Sequence, residues 1–545
     1  HPALFHQFLG TLERLCHNEG HYPIRSEYVL EAQVHEQLRA FLRHHGNIDW
    51  PHHLTMARLA ARALRLGRSS LMQVGAAALY QGHYRLSYLT SLLLWPGPAI
   101  LVLPDAIRQS VLLGNIPRLQ EWMPSQKPVQ WGDEWPHEQF QGLFLTSPEA
   151  WLGDRLQGRD RFPTGVPVFI DGADDLEHWI RDVLTVALDG DAWQALMQAF
   201  PQQQNLIRDM RVSLTHQVFQ HPANPYHCHL IDEPERQVLV ALRQILLAED
   251  AASTSMPRQW TQFWAQFDRA ESLSWARLNR DTGRWTLNCA PIDVAPLMTV
   301  QWEQQPLVLM GGALDTTTEA TEFRQRLGLG DMTCLKFNPD RHTEEIQLYL
   351  PDRIPLPNTA EFQPVLQEEL AYLVVAGTSR GGFTVVLVDD TPLKQQVAAA
   401  LASQFGSRVQ VETTQLSEHG VLVTGWRFWQ THQTQLPRPS LLVLATLPLP
   451  SLENPLVAGR VAYYKRLHQD WFRLYLLPTA LMELQRAIAP VRANQGTVAI
   501  LDNRVNHRSY GRQILQALDP AIRYHRRRDL WLAEPANLPH RQQRF

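Results

Sequence analysis

The sequence predicts an α/β protein with two parallel-sheet units, the first interrupted by a helical insertion. Apolar runs with strand character alternate with helical patterns, as in AILVLP (99–104), GLFLTS (142–147) and VPVFID (166–171). Strands that are apolar throughout are typical of parallel sheets covered by helices on both faces. Long helical patterns replace them between residues 179 and 270, and a second series of apolar runs follows.

Length and composition set the outer limits. The chain has 545 residues, more than one hydrophobic core usually organises, so several domains are expected. A hydrophobic content of 44% with 17 tryptophans indicates a globular protein. The formal net charge of −4 excludes a global basic field, so any contact with nucleic acid must come from local patches.

The cysteines and the most apolar stretch bear on location. Four cysteines lie far apart without a CxxC pair, which argues for a reducing compartment and against a metal site of closely spaced cysteines. The most apolar stretch, 88–104, is short for a membrane span and is interrupted by Pro96 and Pro98. We therefore expect a cytoplasmic protein without a membrane partner.

The pattern of elements predicts five segments. They are an N-terminal helical segment (1–46), the first part of domain one (47–178), a helical insertion (179–270), the second part of domain one (271–316), and domain two with a basic C-terminal tail (317–545).

Several motifs, taken in order from about residue 50 to about residue 518, resemble those of the DinG/XPD-type helicases of superfamily two. VPVFIDGADDLEH (166–178) falls where that family has a hydrophobic strand ending in DEAH. LPTALMELQRAIAPVR (477–492) is similar to the family's motif VI helix, which carries a glutamine followed by arginines. The resemblance implies two RecA-like domains with an arch-like insertion, ATP and Mg²⁺ as cofactors, and activity on single-stranded DNA.

The stretch YQGHYRLSYL (80–89) stands where the family has its phosphate loop. Such a loop needs a lysine for the phosphates and a Ser or Thr for Mg²⁺. Alignment on Gly82 places His83 and Tyr84 there, and alignment on the following LSYL places Tyr84 and Arg85 there. We predict that Tyr84 and Arg85 fill the nucleotide cavity; alternatively, Arg85 binds an anion or is a surface or ion-pair residue.

The other catalytic positions also differ from the family's pattern. Asp171 matches the strand-end aspartate, but Gly172 replaces the catalytic glutamate. Asp171 is interpreted either as a Mg²⁺ ligand or as a cap of the following helix. Gln485 and Arg492 match the arginine motif, whereas Ala489 replaces the arginine implied to act as the finger. Because these catalytic positions are replaced, we assign no catalytic residue.

Family members bind single strands across both domains through stacking and phosphate contacts, so corresponding residues are candidates here. The candidates are two aromatic residues for stacking and three tail arginines for phosphates: Trp426, Tyr463, Arg526, Arg527 and Arg528. The aromatic residues are alternatively part of the core.

Two kinds of metal site are not expected. The absence of cysteine between residues 17 and 227 argues against the iron–sulfur cluster of some family members. His227 and His229 share a face of an extended segment but supply only two ligands.

Three functional hypotheses follow. The first is a helicase homologue that has lost ATP hydrolysis and binds nucleic acid or protein. The second is a divergent but active ATP-dependent DNA helicase. The third is a scaffold that binds protein alone.

Overall fold

The computed structural model of the chain describes residues 29–46, 50–123, 126–247, 256–339, 341–379 and 382–527. Most of the predicted N-terminal segment (1–46) lies outside these ranges, apart from the helix Val29–His45. Arg528 and the rest of the basic tail also lie outside them. In the ranges described, no helix combines the length and apolar character needed to cross a membrane.

The first sheet has seven parallel strands. In spatial order they are Thr333–Lys336, Ser70–Gln73, Leu307–Gly311, Val168–Asp171, Ala99–Val102, Leu143–Thr146 and Val129–Trp131. Because Thr333–Lys336 pairs with Ser70–Gln73, this sheet extends beyond residue 316, where we predicted the end of domain one. The central strands are fully buried, since helices cover both faces.

The helices around the first sheet connect its strands. They are Val29–His45, His53–Leu66, Ala76–Gln81, Arg85–Leu94, Asp105–Ser110, Ile116–Trp122, Pro148–Gln157, Leu176–Leu184, Ala295–Trp302 and Thr321–Leu327.

The second sheet also has seven parallel strands. In spatial order they are Val409–Val411, Val421–Thr424, Phe383–Leu387, Pro439–Leu444, Thr497–Ile500, Ile346–Tyr349 and Ala521–Tyr524. Its helices are Arg341–Glu344, Phe362–Ser379, Thr391–Phe405, Trp426–His432, Pro455–Arg466, Leu477–Arg492, Arg504–His507 and Gly511–Ala517. The two sheets confirm the predicted class of two parallel α/β domains.

The insertion contains strands as well as the predicted helices. Its helices are Gly190–Ala199, Gln204–Gln220, Glu233–Leu247 and Arg258–Phe267. They accompany an antiparallel sheet of Val186–Leu188, Arg284–Pro291, Ser272–Asn279 and Cys228–Leu230. This sheet continues the insertion to Pro291, beyond the boundary at residue 270 after which we predicted the second part of domain one. The hairpin of the two long strands was missed because only part of each strand is buried, which leaves a weak apolar pattern.

The insertion also reaches the second domain. Leu230 and Leu273 of its sheet approach the helix Pro455–Arg466 at Gly459, where a Cβ atom would lie 2.8 Å from Leu273 Cδ2. Nearby, Arg466 Nη2 lies 3.4 Å from the carbonyl oxygen of Ala270. The insertion therefore spans from the first domain to the second.

Candidate functional site

Asp171 is the last residue of the central strand Val168–Asp171 and has no exposed surface. Its Oδ1 accepts a hydrogen bond from the Tyr84 hydroxyl. Its Oδ2 accepts one from the Tyr88 hydroxyl at 2.8 Å and one from Arg85 Nε at 2.8 Å. Both carboxylate oxygens are thus engaged by three side chains from the stretch 80–89, one of which neutralises the charge.

The local sequence explains how these three side chains reach Asp171. The helix Ala76–Gln81 ends at Gly82, which adopts a left-handed conformation with φ 75°. A second helix, Arg85–Leu94, starts immediately afterwards. Tyr84 and Tyr88 are four residues apart, so both point from one helical face toward Asp171.

Glycine at position 82 is needed for this arrangement. The positive φ favours glycine, and a Cβ atom at this position would overlap Nη1 of Arg85. The Arg85 guanidinium therefore folds back over the backbone at the place where the phosphate loop was predicted. Tyr84 is fully buried beside it and contacts the ring of Trp50.

The protonation of the cluster is fixed by its burial. Burial and the Asp171 charge raise the pKa of Tyr84 and of Tyr88 well above 10, so both hydroxyls remain donors. Burial opposes the charge on Arg85, but Asp171 raises the pKa of this guanidinium above its usual value. The cluster is a closed ion pair with two added hydrogen bonds.

His83, the remaining residue of the predicted loop, is partly buried. It lies near His53. Burial, followed by the charges of His83 and His52, lowers the pKa of His53 to about 4. His53 Nδ1 is 2.9 Å from the Ser87 hydroxyl.

Asp174 serves the neighbouring loop of the first domain. Its Oδ2 accepts the backbone N–H of Gly312 at 2.8 Å, and its Oδ1 accepts that of Ala313 at 2.7 Å. These bonds tie the end of strand Leu307–Gly311 to the segment that follows Asp171. Burial raises the pKa of Asp174.

The two domains are joined directly beside this cluster. Asp175 forms a two-bond ion pair with Arg486 of the second domain, with distances of 2.6 and 3.2 Å. A cleft of about 720 Å³ lies between the domains, and its lining includes Gly75, Ala76 and Gln485. Gly82, Tyr84, Arg85 and Asp171 are not among the described residues that line it.

Arg492 is bound inside the second domain. It is 5% exposed, and its Nη atoms donate to the carbonyl oxygens of Glu344, Leu518 and Pro520 at 2.7 to 3.2 Å. Burial lowers its pKa to about 10. These contacts indicate a role in holding chain segments together.

The residues predicted to contact nucleic acid differ in burial and in their contacts. Trp426 is 5% exposed, within the core on one face of the second sheet. Tyr463 is partly buried, with the Arg466 guanidinium 5.7 Å from its ring centre. Arg526 is exposed, whereas Arg527 pairs with Glu369 at 2.6 Å.

One group of side chains has the donor set of a metal site. His221 Nε2 lies 3.0 Å from Glu235 Oε1 and 4.0 Å from Asp232 Oδ2. Asp232 and Glu235 also accept each other's backbone N–H at the start of the helix Glu233–Leu247. This reciprocal cap accounts for both carboxylates without an ion.

Two residues of the site were missed at the sequence level. Tyr88 was part of the quoted stretch, and its spacing of four from Tyr84 was the available signal. Arg486 had no signal, because its partner Asp175 lies 311 residues away in the other domain.

Comparison with known proteins gives matches to helicases. Residues 385–521 match the family model described as "Helicase C-terminal domain". The chain is 24% identical over 250 residues to "ATP-dependent DNA helicase YoaA" of Haemophilus influenzae, which covers 44% of this chain and 39% of that protein. It is 21% identical over 251 residues to "3'-5' exonuclease DinG" of Bacillus subtilis, covering 42% of this chain and 27% of that protein. The chain thus matches less than half the length of these curated relatives.

Solved structures match over more of the chain. "XPD_Helicase" aligns with a TM-score of 0.56 at 9% identity, covering 87% of this chain and 99% of that one. "Structure of S. tokodaii Xpd4" aligns with a TM-score of 0.53 at 13% identity, covering 87% and 100%. At these identities the likeness shows the fold, which is the predicted pair of RecA-like domains.

Proposed function

We propose that this chain, a relative of the DinG/XPD-type helicases of superfamily two, keeps the helicase scaffold without hydrolysing ATP and acts as a binding module. The observation that carries the proposal is the closure of Asp171 by Tyr84, Arg85 and Tyr88. In enzymes with a phosphate loop, an aspartate at this position serves the Mg²⁺ that bridges the phosphates.

The residues around Asp171 do not fit Mg²⁺. This ion requires near-octahedral oxygen ligands and retains several waters. At Asp171 a guanidinium and two hydroxyls occupy the carboxylate oxygens, and the carboxylate has no contact with solvent. A metal would have to displace Arg85, and separation of a buried ion pair leaves an uncompensated charge at a cost of about 3–5 kcal/mol. We therefore derive no step through a metal.

The phosphate-binding surface is replaced as well. A phosphate loop presents backbone N–H groups in an open turn, which leaves room for the anion. Here the helix Ala76–Gln81 occupies the chain between the first strand and Gly82, and the buried Tyr84 ring follows. The backbone N–H groups of Leu79 and Gly82 donate within this helix.

We expect the purified chain to show no Mg²⁺-dependent ATP turnover in the presence of single-stranded DNA. The measurement compares phosphate release by the native chain with that by Asp171→Asn, which removes the one carboxylate of this cluster. Turnover that depends on Mg²⁺ and is abolished by Asp171→Asn would overturn the proposal and support a divergent active helicase. Equal background release by both proteins supports the proposal.

A surface on the second domain favours single-stranded nucleic acid as one partner. Lys465 and Arg466 are exposed at the end of the helix Pro455–Arg466. The Lys465 amine lies 5.3 Å from the ring centre of Trp471, and Arg466 lies over Tyr463. Cations interleaved with aromatic rings match the phosphates and bases of a single strand. This surface includes Tyr463, one of the predicted stacking residues.

We expect Lys465→Gln and Arg466→Gln each to weaken binding of a labelled oligothymidylate and to flatten its salt dependence. Loss of one phosphate contact on a single strand reduces the slope of log K against log salt by about 0.7. Binding is followed by fluorescence anisotropy over a salt series, with Arg62→Gln, at an exposed position on another helix, as the matched control. Absence of binding at low salt would favour the scaffold hypothesis.

A further inference from the structure

A second cleft, of about 630 Å³, lies where three parts of the molecule meet. Its walls include the helix Leu176–Leu184 of the first domain, Ile292 at the end of the insertion's hairpin, and the helices Pro455–Arg466 and Leu477–Arg492 of the second domain. We call it the junction cleft. Its lining is separate from that of the cleft near Gly75 and Ala76.

One side of the junction cleft is basic. Arg181 Nη2 lies 2.8 Å from Glu177 Oε1, and Arg326 Nη1 lies 3.5 Å from Glu177 Oε2. Arg460 is close enough to act on the same carboxylate, and its guanidinium lies 5.3 Å from the ring centre of Tyr475. Burial opposes the charge of Glu177, but Arg326, Arg181 and Arg460 together lower its pKa. Three arginines around one carboxylate leave two positive charges.

Another side of the junction cleft is acidic. Arg486 is already paired with Asp175, so it does not neutralise a further carboxylate fully. Glu483 accepts a hydrogen bond from the neutral side chain of Gln430, and Asp389 is exposed at the same cleft. A cationic group entering here would find two carboxylates without an ion pair among the described residues.

The complete lining is balanced in charge. Five arginines and five carboxyl groups face the cleft, so their charges balance above pH 7, where Glu483 is ionised. Apolar side chains such as Phe323, Leu474 and Met482 accompany them. A single nucleic-acid strand carries one negative charge per nucleotide, so a groove that follows its backbone needs an excess of cations. Balanced charge with an apolar lining is complementary to a polypeptide that bears both signs of charge and apolar side chains.

We propose that the junction cleft binds a polypeptide segment of a partner protein, with an acidic side chain placed among Arg181, Arg326 and Arg460 and a basic one beside Asp389 and Glu483. The proposal rests on the function of the chain as a binding module and names the class of partner. The oppositely charged sides also fix the direction in which the segment lies.

The test uses short fluorescein-labelled peptides in which a Glu and a Lys are separated by a few apolar residues. We expect saturable binding to the native chain, followed by anisotropy at low salt. Replacing the peptide's Glu or its Lys by Ala is expected to weaken binding about tenfold. Arg460→Gln is expected to weaken the intact peptide about tenfold and to leave the peptide without Glu almost unaffected, because the same pair is already lost.

Two variants guard the interpretation. Arg460→Lys keeps the charge over Tyr475 and is expected to lose less affinity than Arg460→Gln, provided that both melt at the native temperature. Arg512→Gln, at an exposed position that does not line the junction cleft, is expected to bind the peptide normally.

Two results would overturn the proposal. One is the absence of saturable binding by any mixed-charge peptide, and the other is binding of oligothymidylate that Arg460→Gln weakens, which would make the cleft a nucleic-acid groove. These outcomes are separate from the ATP assay, because turnover would refute the loss of hydrolysis and leave the peptide result unchanged.

Discussion

Arg85→Met is expected to destabilise the first domain by about 3 kcal/mol. The substitution leaves Asp171 as a buried carboxylate without its cation, a change that typically costs about 3–5 kcal/mol. We place the value at the lower end because the hydroxyls of Tyr84 and Tyr88 still donate to the carboxylate. Native-state amide hydrogen exchange in the strand Val168–Asp171 measures the effect where it arises.

A double-mutant cycle isolates the ion pair from the loss of packing. Asp171→Asn alone leaves Arg85 buried without its counter-charge, whereas Arg85→Met with Asp171→Asn leaves neither charge. We therefore expect the double variant to be more stable than the sum of the single changes predicts, by about 2 kcal/mol. Arg62→Met, on the exposed side of helix His53–Leu66, is the matched control with a change below about 0.5 kcal/mol. A near-zero coupling would show that the pair does not hold Asp171.

The pair of sheets was predictable from sequence because parallel strands covered on both faces need continuous apolar runs. Runs such as AILVLP and VPVFID became buried central strands of the first sheet. The predicted resemblance to DinG/XPD-type helicases is supported by the sequence matches, and the predicted pair of RecA-like domains is confirmed by the likeness in fold to XPD structures. The short strand Thr333–Lys336 was missed because it lies at the edge of the sheet. Its residues are exposed or partly buried, so it lacks a continuous apolar run.

The sequence placed the candidate site only through the family resemblance, and it gave no contacts between its residues. The stretch 80–89 was placed at the phosphate loop, and its bulky residues were predicted to fill the cavity. The structure places Tyr84 and Arg85 against Asp171. Tyr84 is separated from Asp171 by 87 positions in the sequence, and Arg85 by 86. Sequence spacing cannot give such a pairing, because it depends on which strand ends beside the helix.

Contacts between domains were beyond the sequence for a similar reason. Asp175 and Arg486 are ordinary charged residues in their own helices, and only the docking of the domains brings them together. Arg492 matched a family motif, yet its bonds to three backbone carbonyl oxygens are visible only in the folded domain.

The interface between the two domains beside Arg486 is expected to make the stability of the chain depend on pH. Burial, together with the charges of Asp175 and Asp389, raises the pKa of Glu483 from 4.5 to about 7, although Arg486 opposes the shift. Between pH 4.5 and 7 the folded chain therefore holds more protons at this site than the unfolded chain does. Stability from this group is fully present below pH 4.5, and it is lost as the pH rises through 7.

Glu483→Gln is expected to remove this dependence. The amide stays neutral and still accepts the hydrogen bond from Gln430, so the variant should exceed the native chain in stability by about 2 kcal/mol above pH 7 and match it near pH 4.5. We set this value below the full conversion of the pKa shift because the side chain is partly exposed. Urea unfolding of both proteins across the pH range gives the difference directly, and other titrating groups cancel in it. Glu453→Gln, at an exposed position, should leave the pH profile unchanged. A stability difference between the two proteins that is constant with pH, or that increases as the pH falls, would contradict a raised pKa at Glu483. It would exclude Glu483 as the source of the pH dependence.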